Sequence, residues 1–491
     1  MYKKEDAQIT IAEFISPFGK LDPTNRWVQI ATMIPWRKYE ERYSERFCDD
    51  NGAPAIRYRM AMGTLIIKQR TGHSDEDVLQ DILENPYMQF LIGLHEFTLT
   101  APFCSSSITN FRKYITQDMI NEVNEDIFRK SNAENENDNN DDDSNGDENN
   151  DTSSNADDEK QNKDIEMKVE NKGTMLIDAT CAPANIAYPT DVNLLNEARE
   201  KLEGIIDTLH PYTQDKTKPR TYRLIARKKY LGFVKQRKPR KSAVRKAIGQ
   251  QLRYVARDLR IIDSQLFKTG ADKLSSRQQQ YLQTIRTLYE QQKLMYDTRT
   301  HSVEKRIVSI SQPHVRPIVR GKAKADVEFG AKVNASMVDG YAFIDKLGWE
   351  AYNEEATLIP AIEKYKEKHG FYPEAVMADT IYRNRTNRAY CKKHGIRLSG
   401  PRLGRPPKET DKDVIKQERL DVSKRNGIEG KFGEGKLKYG LDRIMAVLID
   451  SSETVIAMSF FCMNISRKLR VLVRFFIYRR EIALTRMVII F

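Results

Sequence analysis

Apolar positions recur at helical spacing through the first quarter of the chain: Trp27, Ile30, Ile34 and Trp36, then Met60, Met62, Leu65 and Ile66, with few Gly or Pro between them. This predicts an all-α unit over residues 1–130. Ser74 is placed to cap DEDVLQDILENP, and Ser107 to cap a single helix over ITNFRKYITQDMINEVNEDIFRK. Beyond Lys172 the pattern changes. TMLIDATCAP reads as a short buried strand ending in an acid, and TDVNLLNEAREKLEGIIDTLH as an amphipathic helix with Leu194, Ala198, Leu202, Ile205 and Leu209 on its apolar face. Ile248, Leu252, Val255, Leu259 and Ile262, followed by Tyr281, Ile285 and Leu288, predict a helical hairpin that turns near Gly270. Strand patterns return in RIVSISQ, VEFGAKVNASMV and YAFIDKLGW, then, after a helix over EEATLIPAIEKYKEKHG, in EAVMADT. This order predicts a mixed α/β layer arrangement rather than repeated βαβ units.

Charge sharpens that picture. The chain carries a net +12 with a pI near 9.2. That total includes NAENENDNNDDDSNGDENNDTSSNADDEKQ, whose composition predicts a disordered acidic linker over residues 131–172. The folded parts are therefore distinctly basic, above all the predicted insertion at about 190–303, where Lys228, Lys229, Arg237 and Lys238 cluster. Such a surplus favours polyanionic partners, nucleic acid being the commonest, although ribosomal and membrane-surface proteins share it. Arg112 and Lys113, in the helix after Ser107, fit either a helix laid on DNA or an ordinary solvated face.

Other classes lose ground. Five scattered cysteines form no C-x-x-C pair, which argues against a zinc finger or a disulfide framework. MYKKEDAQITIAEF puts acids where a signal peptide needs an apolar run, so the expected location is cytoplasmic. In the carboxyl-terminal RVLVRFFIYRREIALTRMVIIF, arginines interrupt the apolar run too often for a spanning helix, and residues 466–491 are expected to be a packed segment or a tail.

Candidate chemistry lies in three places. The runs Met175–Leu176–Ile177–Asp178 and Ala375–Val376–Met377–Ala378–Asp379 each lead into an acid; if the strands are neighbours, two carboxylates share one sheet edge, a setting suited to Mg²⁺. An acid at a strand end is also a common turn-former or cap. On a helix through RNGIEGKFGEGK, Arg425, Glu429 and Lys436 project within about 40° of one another, flanking a carboxylate with two cations. An intrahelical Arg425–Glu429 ion pair explains the same spacing. Gly427, Gly430, Gly433 and Gly435 weaken such a helix, unless they serve close approach to DNA or the helix starts later. Arg383, Arg385 and Arg388 follow Asp379, and Arg402 and Lys408 sit in the Pro-rich GPRLGRPPK run, as further candidates for a DNA backbone. His314 is expected to have a structural hydrogen-bonding role.

The segments TMLIDAT, HVRPIVRGKAKADVEFGAKV, VMADTIYRNRTNRAYCKKHGIRLSGPRLGRP and RNGIEGKFGEGKLKYGL together resemble the DDE transposases of bacterial insertion sequences, from about residue 25 to 465. Arg425, Glu429 and Lys436 match that family's R-x-x-x-E-x-x-x-x-x-x-K signature, while Val422 stands where the family has an upstream Tyr. The resemblance implies a ribonuclease H-like mixed sheet with a long helical insertion, catalytic over 173–465, preceded by the helical DNA-binding domain. It implies that Asp178 and Asp379 lie on adjacent central strands, with Glu429 approaching from a later helix. Together they would hold two Mg²⁺ or Mn²⁺ ions, while Arg425 and Lys436 neutralise phosphate. The implied partners are double-stranded DNA, as element ends and as target, and a second copy in a synaptic homodimer. The implied reactions are cleavage at the element ends and strand transfer. A decayed, nonenzymatic DNA-binding protein and a metal-dependent nuclease without strand transfer are the alternatives.

Overall fold

The computed structural model describes residues 9–47, 54–127, 170–322, 325–400 and 412–489. The predicted acidic linker, except for its last residues, and the GPRLGRPPK candidates Arg402 and Lys408 lie outside the described residues.

The amino-terminal part is helical, as its periodicity predicts: α1 (Arg26–Met33), α2 (Trp36–Ser44), α3 (Tyr58–Thr71), α4 (Asp75–Glu84), α5 (Pro86–Leu91), α6 (Ser107–Tyr114) and α7 (residues 117–127). Ser74 caps α4 by accepting from the Asp77 N–H. The expectation for Ser107 is corrected: it is the first helical residue of α6, after Ser106, and its helix is broken at Ile115, whose backbone turns extended. Ile115 is fully buried there, and packing overrides the helical periodicity. In α3, nearly every residue from Tyr58 to Ile67 is buried. The buried Arg59 donates to the carbonyls of Phe90 and Leu91, at 2.6 and 3.1 Å, in the last turn of α5.

Among the described residues, six strands form one mixed sheet: β1 (Thr174–Pro183), β2 (Arg316–Lys322), β3 (Ala325–Val338), β4 (Tyr341–Gly348), β5 (Ala375–Met377) and β6 (Arg397–Leu398). The order is β2–β3–β1–β5–β6, with β4 also paired to β3; β1 runs antiparallel to β3 and parallel to β5. Two expectations are corrected. Asp178 lies in the middle of β1 rather than at its end, because Thr180, Cys181 and Ala182 continue the ladder with β3. RIVSISQ is not a strand: Val308 packs into the main core while Ile307 and Ile310 pack into the core of the insertion, so its alternation serves two cores rather than two faces of a sheet.

Between β1 and β2 comes α8 (Asp191–Leu209), α9 (Arg223–Val234), α10 (Lys241–Thr269) and α11 (Ser276–Thr298). The predicted turn is at Gly270, whose φ of 78° favours glycine, and Ser275 and Gln278 form a capping box that starts α11. Leu194, Ala198, Leu252, Val255, Ile285 and Leu288 give this insertion its own core. After β4 come α12 (Leu358–His369), α13 (Arg385–Lys393), α14 (Lys412–Lys438) and α15 (Ile449–Ile489). Residue 466, where a tail was expected to begin, lies inside α15, and no helix among the described residues is long and apolar enough to cross a membrane.

Met175, Ile177, Val376 and Ala378 point to the sheet face covered by α12 and α13. Leu176, Val333, Ala335, Met337 and Met377 point to the opposite face, into one continuous core with Ile428 and Phe432 of α14, Phe460 and Phe461 of α15, and the amino-terminal helices.

Candidate active site

Strand register builds the centre of the site. Leu176 of β1 lies opposite Met377 of β5, so continuing the parallel register by one side-chain alternation brings Asp178 level with Asp379, on the face where α14 packs. Asp178 Oδ1 accepts from the Ala179 N–H at 2.8 Å, and Asp379 Oδ1 accepts from the Thr380 N–H at 2.6 Å, as a cap of the turn that follows β5. Asp178 is largely buried, whereas Asp379 is exposed. Burial pushes the Asp178 carboxyl up to about 6, and the neighbouring Asp379 and Glu354 carboxylates push the same way, against the Ala179 N–H and Arg425.

The third element is α14, which runs unbroken through the glycines that complicate its prediction. Gly427 is where it crosses β1 and β3: a Cβ there would come within 3.2 Å of Met337 Cε and 3.6 Å of Leu176 Cδ2. Gly435 likewise admits Leu441 and Met463, so these two glycines permit helix-to-core packing rather than approach to DNA; Gly430 and Gly433 face open space. With Ile428 buried beneath it, α14 presents Arg425 and Glu429 beside Asp178. Arg425 Nη2 lies 3.2 Å from Glu429 Oε1 and Nη1 lies 4.0 Å from Asp178 Oδ2, so one guanidinium bridges the two acids. Lys436 follows two turns later, half-buried, and Val422 is exposed one turn before Arg425.

The donors are all carboxylate oxygens, which suits a hard divalent cation. Among the described residues, however, no three acids, histidines or cysteines converge closely enough to hold a metal as they are placed, because Arg425 stands between Glu429 and Asp178.

The other candidates divide. Lys228, Lys229, Arg237 and Lys238 are exposed on α9 and the turn after it. Arg112 is engaged within the fold: its guanidinium donates to Asp75 at 3.0 Å and its carbonyl accepts from Thr454, so it ties α6 to α4 and α15, with Lys113 exposed beside it. Arg383 donates to the carbonyls of Leu398 and Ser399 at 2.9 and 2.7 Å, which makes it a strut under β6, whereas Arg385 is exposed on α13. His314 packs edge-on against Trp349 at 4.3 Å, and burial with the nearby Arg316 pushes it down to about 4, consistent with a neutral structural residue. Glu354 escaped the sequence reading. It pairs with Lys332 at 2.8 Å and adds negative potential at Asp178, a proximity created by the register of β3 and visible in no local motif.

Comparison with known proteins places these elements. Residues 17–114 match the family model described as a transposase domain (DUF772), and residues 376–466, which carry Asp379, Arg425, Glu429 and Lys436, match the one described as a transposase DDE domain. Both matched families are described as transposase domains, so the two stretches resemble transposases. The chain is also 33% identical over 103 residues to the uncharacterized protein ORF8 in the nfe locus of Rhizobium meliloti, a stretch that covers 21% of the chain and 49% of that relative. The chain thus spans about half the length of the curated relative it matches. No solved structure matches it.

Proposed function

We propose that this chain is a transposase that cuts double-stranded DNA at the ends of an insertion sequence and joins the freed ends to target DNA, using Asp178, Asp379 and Glu429 as its catalytic acids. The observation that carries this reading is the nearness of Asp178 on β1 to Asp379, two residues past the end of the neighbouring β5, with Glu429 linked to Asp178 through Arg425. Three antiparallel strands, β4, β3 and β1, followed by the parallel β5 and β6, support a ribonuclease H-like sheet.

Asp178 and Asp379 are the residues that would hold Mg²⁺ or Mn²⁺ ions, with Glu429 joining them once Arg425 releases it. Two such ions, when bound, supply an activated water or 3′-hydroxyl and stabilise the leaving oxygen. The chain's own groups do the rest. Burial of Asp178 favours cation capture, since its carboxylate gains more from a bound positive charge than a solvated one does. Arg425 turns from Glu429 to a phosphate oxygen, and Lys436 adds positive charge further along α14. Lys228, Lys229, Arg237, Lys238 and Lys113 supply exposed positive charge for duplex backbone. Because two element ends must be held together, a homodimer acting at the nucleoid in the cytoplasm fits this reading.

The test is Mg²⁺- or Mn²⁺-dependent cleavage of labelled duplex carrying the element's ends, comparing the wild type with Asp178→Asn, Asp379→Asn and Glu429→Gln. Loss of cleavage by at least about a thousandfold in all three, with end binding retained, supports the acid triad. Binding without cleavage by the wild type points to a decayed DNA-binding protein. Cleavage without joining points to a nuclease.

A further inference from the structure

A second cationic surface lies at β6, the sheet edge opposite β2, to which the insertion returns. Between α13 and the edge strand β6 is an open cleft of 490 Å³ whose floor includes Ile396 and Leu398 and whose wall carries Arg383, Arg385, Arg388 and Lys392. Arg385, Arg388 and Lys392 are spaced three and four apart on α13 and all are exposed, so they form one stripe along the cleft. Among the described residues, no carboxylate forms an ion pair with any of the three. Arg383, pinned to the carbonyls of Leu398 and Ser399, is held beside Arg388, whose like charge works with burial to press its own pKa down. Glu418 opposes this effect at Arg383, but no carboxylate among the described residues pairs with the stripe on α13; cations gathered there repel one another, and a polyanion laid along them relieves that repulsion.

Position decides which polyanion. The sheet order puts Asp178 on β1 and Asp379 just after β5, in the middle. The insertion, with Lys228, Lys229, Arg237 and Lys238 exposed, leaves from the end of β1 and returns into β2 on one side, while α13 and β6 form the other side. Only the turn of Thr380–Tyr382 and Arg383–Asn384 separates Asp379 from α13. By strand order, the two basic surfaces therefore lie toward opposite edges of the sheet, with the strands that lead to the acids between them. A joining reaction brings two duplexes to one set of acids, and two flanking surfaces are what such a reaction needs.

Resting on the function proposed above, we infer that the α13 cleft holds the phosphodiester backbone of a duplex other than the one held by the insertion. Each chain then has two duplex-binding surfaces that meet at Asp178 and Asp379. The test uses the full chain and a fluorescein-labelled 20-bp duplex of arbitrary sequence, titrated at low salt without divalent metal. One variant carries Arg385→Gln, Arg388→Gln and Lys392→Gln; a second carries Lys228→Gln, Lys229→Gln, Arg237→Gln and Lys238→Gln. The wild type is expected to bind two duplexes per chain, each variant one, and the combined variant none. The α13 variant should also lose about 2 to 3 from the slope of log affinity against log salt measured for binding at low occupancy to a chain lacking the insertion cations. A charge-keeping variant, Arg385→Lys with Arg388→Lys and Lys392→Arg, should restore the second duplex, which separates lost charge from lost folding. One duplex per wild-type chain, two on the α13 variant, or no rescue by the charge-keeping variant overturns the inference. None of these readouts involves cleavage, so failure of the metal-dependent chemistry and failure of the second surface are distinguishable.

Discussion

At the scale of single residues, the joint between α14 and α15 contains a cost that folding must carry. Lys431 is buried; its ammonium donates to the Met463 carbonyl at 3.2 Å and lies 3.4 Å from Glu434, which Arg470 also engages at 2.8 Å. Burial outweighs Glu434 and pushes the Lys431 ammonium down to about 8. Between pH 8 and its ordinary value of 10.5 the unfolded chain binds the extra proton, so this group's contribution to stability rises with pH across that window. At pH 7 the ammonium is charged in both states and the full desolvation cost is present. Lys431→Met is therefore expected to raise stability at pH 7 by about 2 to 3 kcal/mol, with the gain fading between about pH 8 and 10.5. Paired urea titrations at pH 7 and pH 10.5 check this; a methionine variant less stable than the wild type at pH 7 contradicts it.

At the scale of elements, what the sequence announced and what it concealed follow from range. Helices with strong periodicity, such as α8, α10 and α11, and the cap at Ser74 are set by contacts within a few residues, and they are legible. Asp178 and Asp379 stand out because an acid after an apolar run breaks a local pattern, yet only pairing shows that β1 continues past Asp178 to Pro183. The break at Ile115, the two-core seam at Ile307–Ile310, the engagement of Arg112 with Asp75 and the approach of Glu354 to Asp178 all depend on residues tens or hundreds of positions away. Glycine shows the same divide. Gly330 lies opposite both Pro183 of β1 and Arg316 of β2, and a Cβ there would fall 2.1 Å from the Ala182 carbonyl oxygen and 2.7 Å from Pro183 Cα. Both neighbours are backbone, so neither rotates away. Gly330→Ala is expected to cost about 3 kcal/mol or more by forcing β1 and β3 apart at the root of the insertion, read as a lower urea midpoint. A loss below about 1 kcal/mol would mean that the strands separate there more easily than their ladder implies.

At the scale of the whole molecule, the amino-terminal helices do not stand apart from the sheet. Gln69 of α3 donates to the Tyr439 carbonyl and to Ser459, Arg70 donates to Ser466, and Asn124 and Asn464 bond each other and the Ala342 carbonyl of β4. These polar contacts sit around a single core that runs from Trp27 and Ile66 through Phe460 to Leu176 and Ala335, with α15 wedged between the amino-terminal helices and the sheet. Such buried polar bonds lose their partners if the two parts separate, and each unsatisfied group then costs about 1 to 3 kcal/mol. The match to one transposase domain over 17–114 and to another over 376–466 thus describes two stretches of sequence that share one hydrophobic interior. A chain cut at a protease site engineered near residue 150, between α7 and β1, is accordingly expected to keep both pieces together. It should elute from a sizing column as one species and unfold in a single transition within a few degrees of the uncut protein. Expressed alone, residues 170–491 should be insoluble or bind a hydrophobic dye, since Ile456, Phe460 and Phe461 lose the helices that cover them. Free separation of the cut pieces would show that the shared core holds them less tightly than its burial indicates, and would make the amino-terminal helices an independent arm on the DNA.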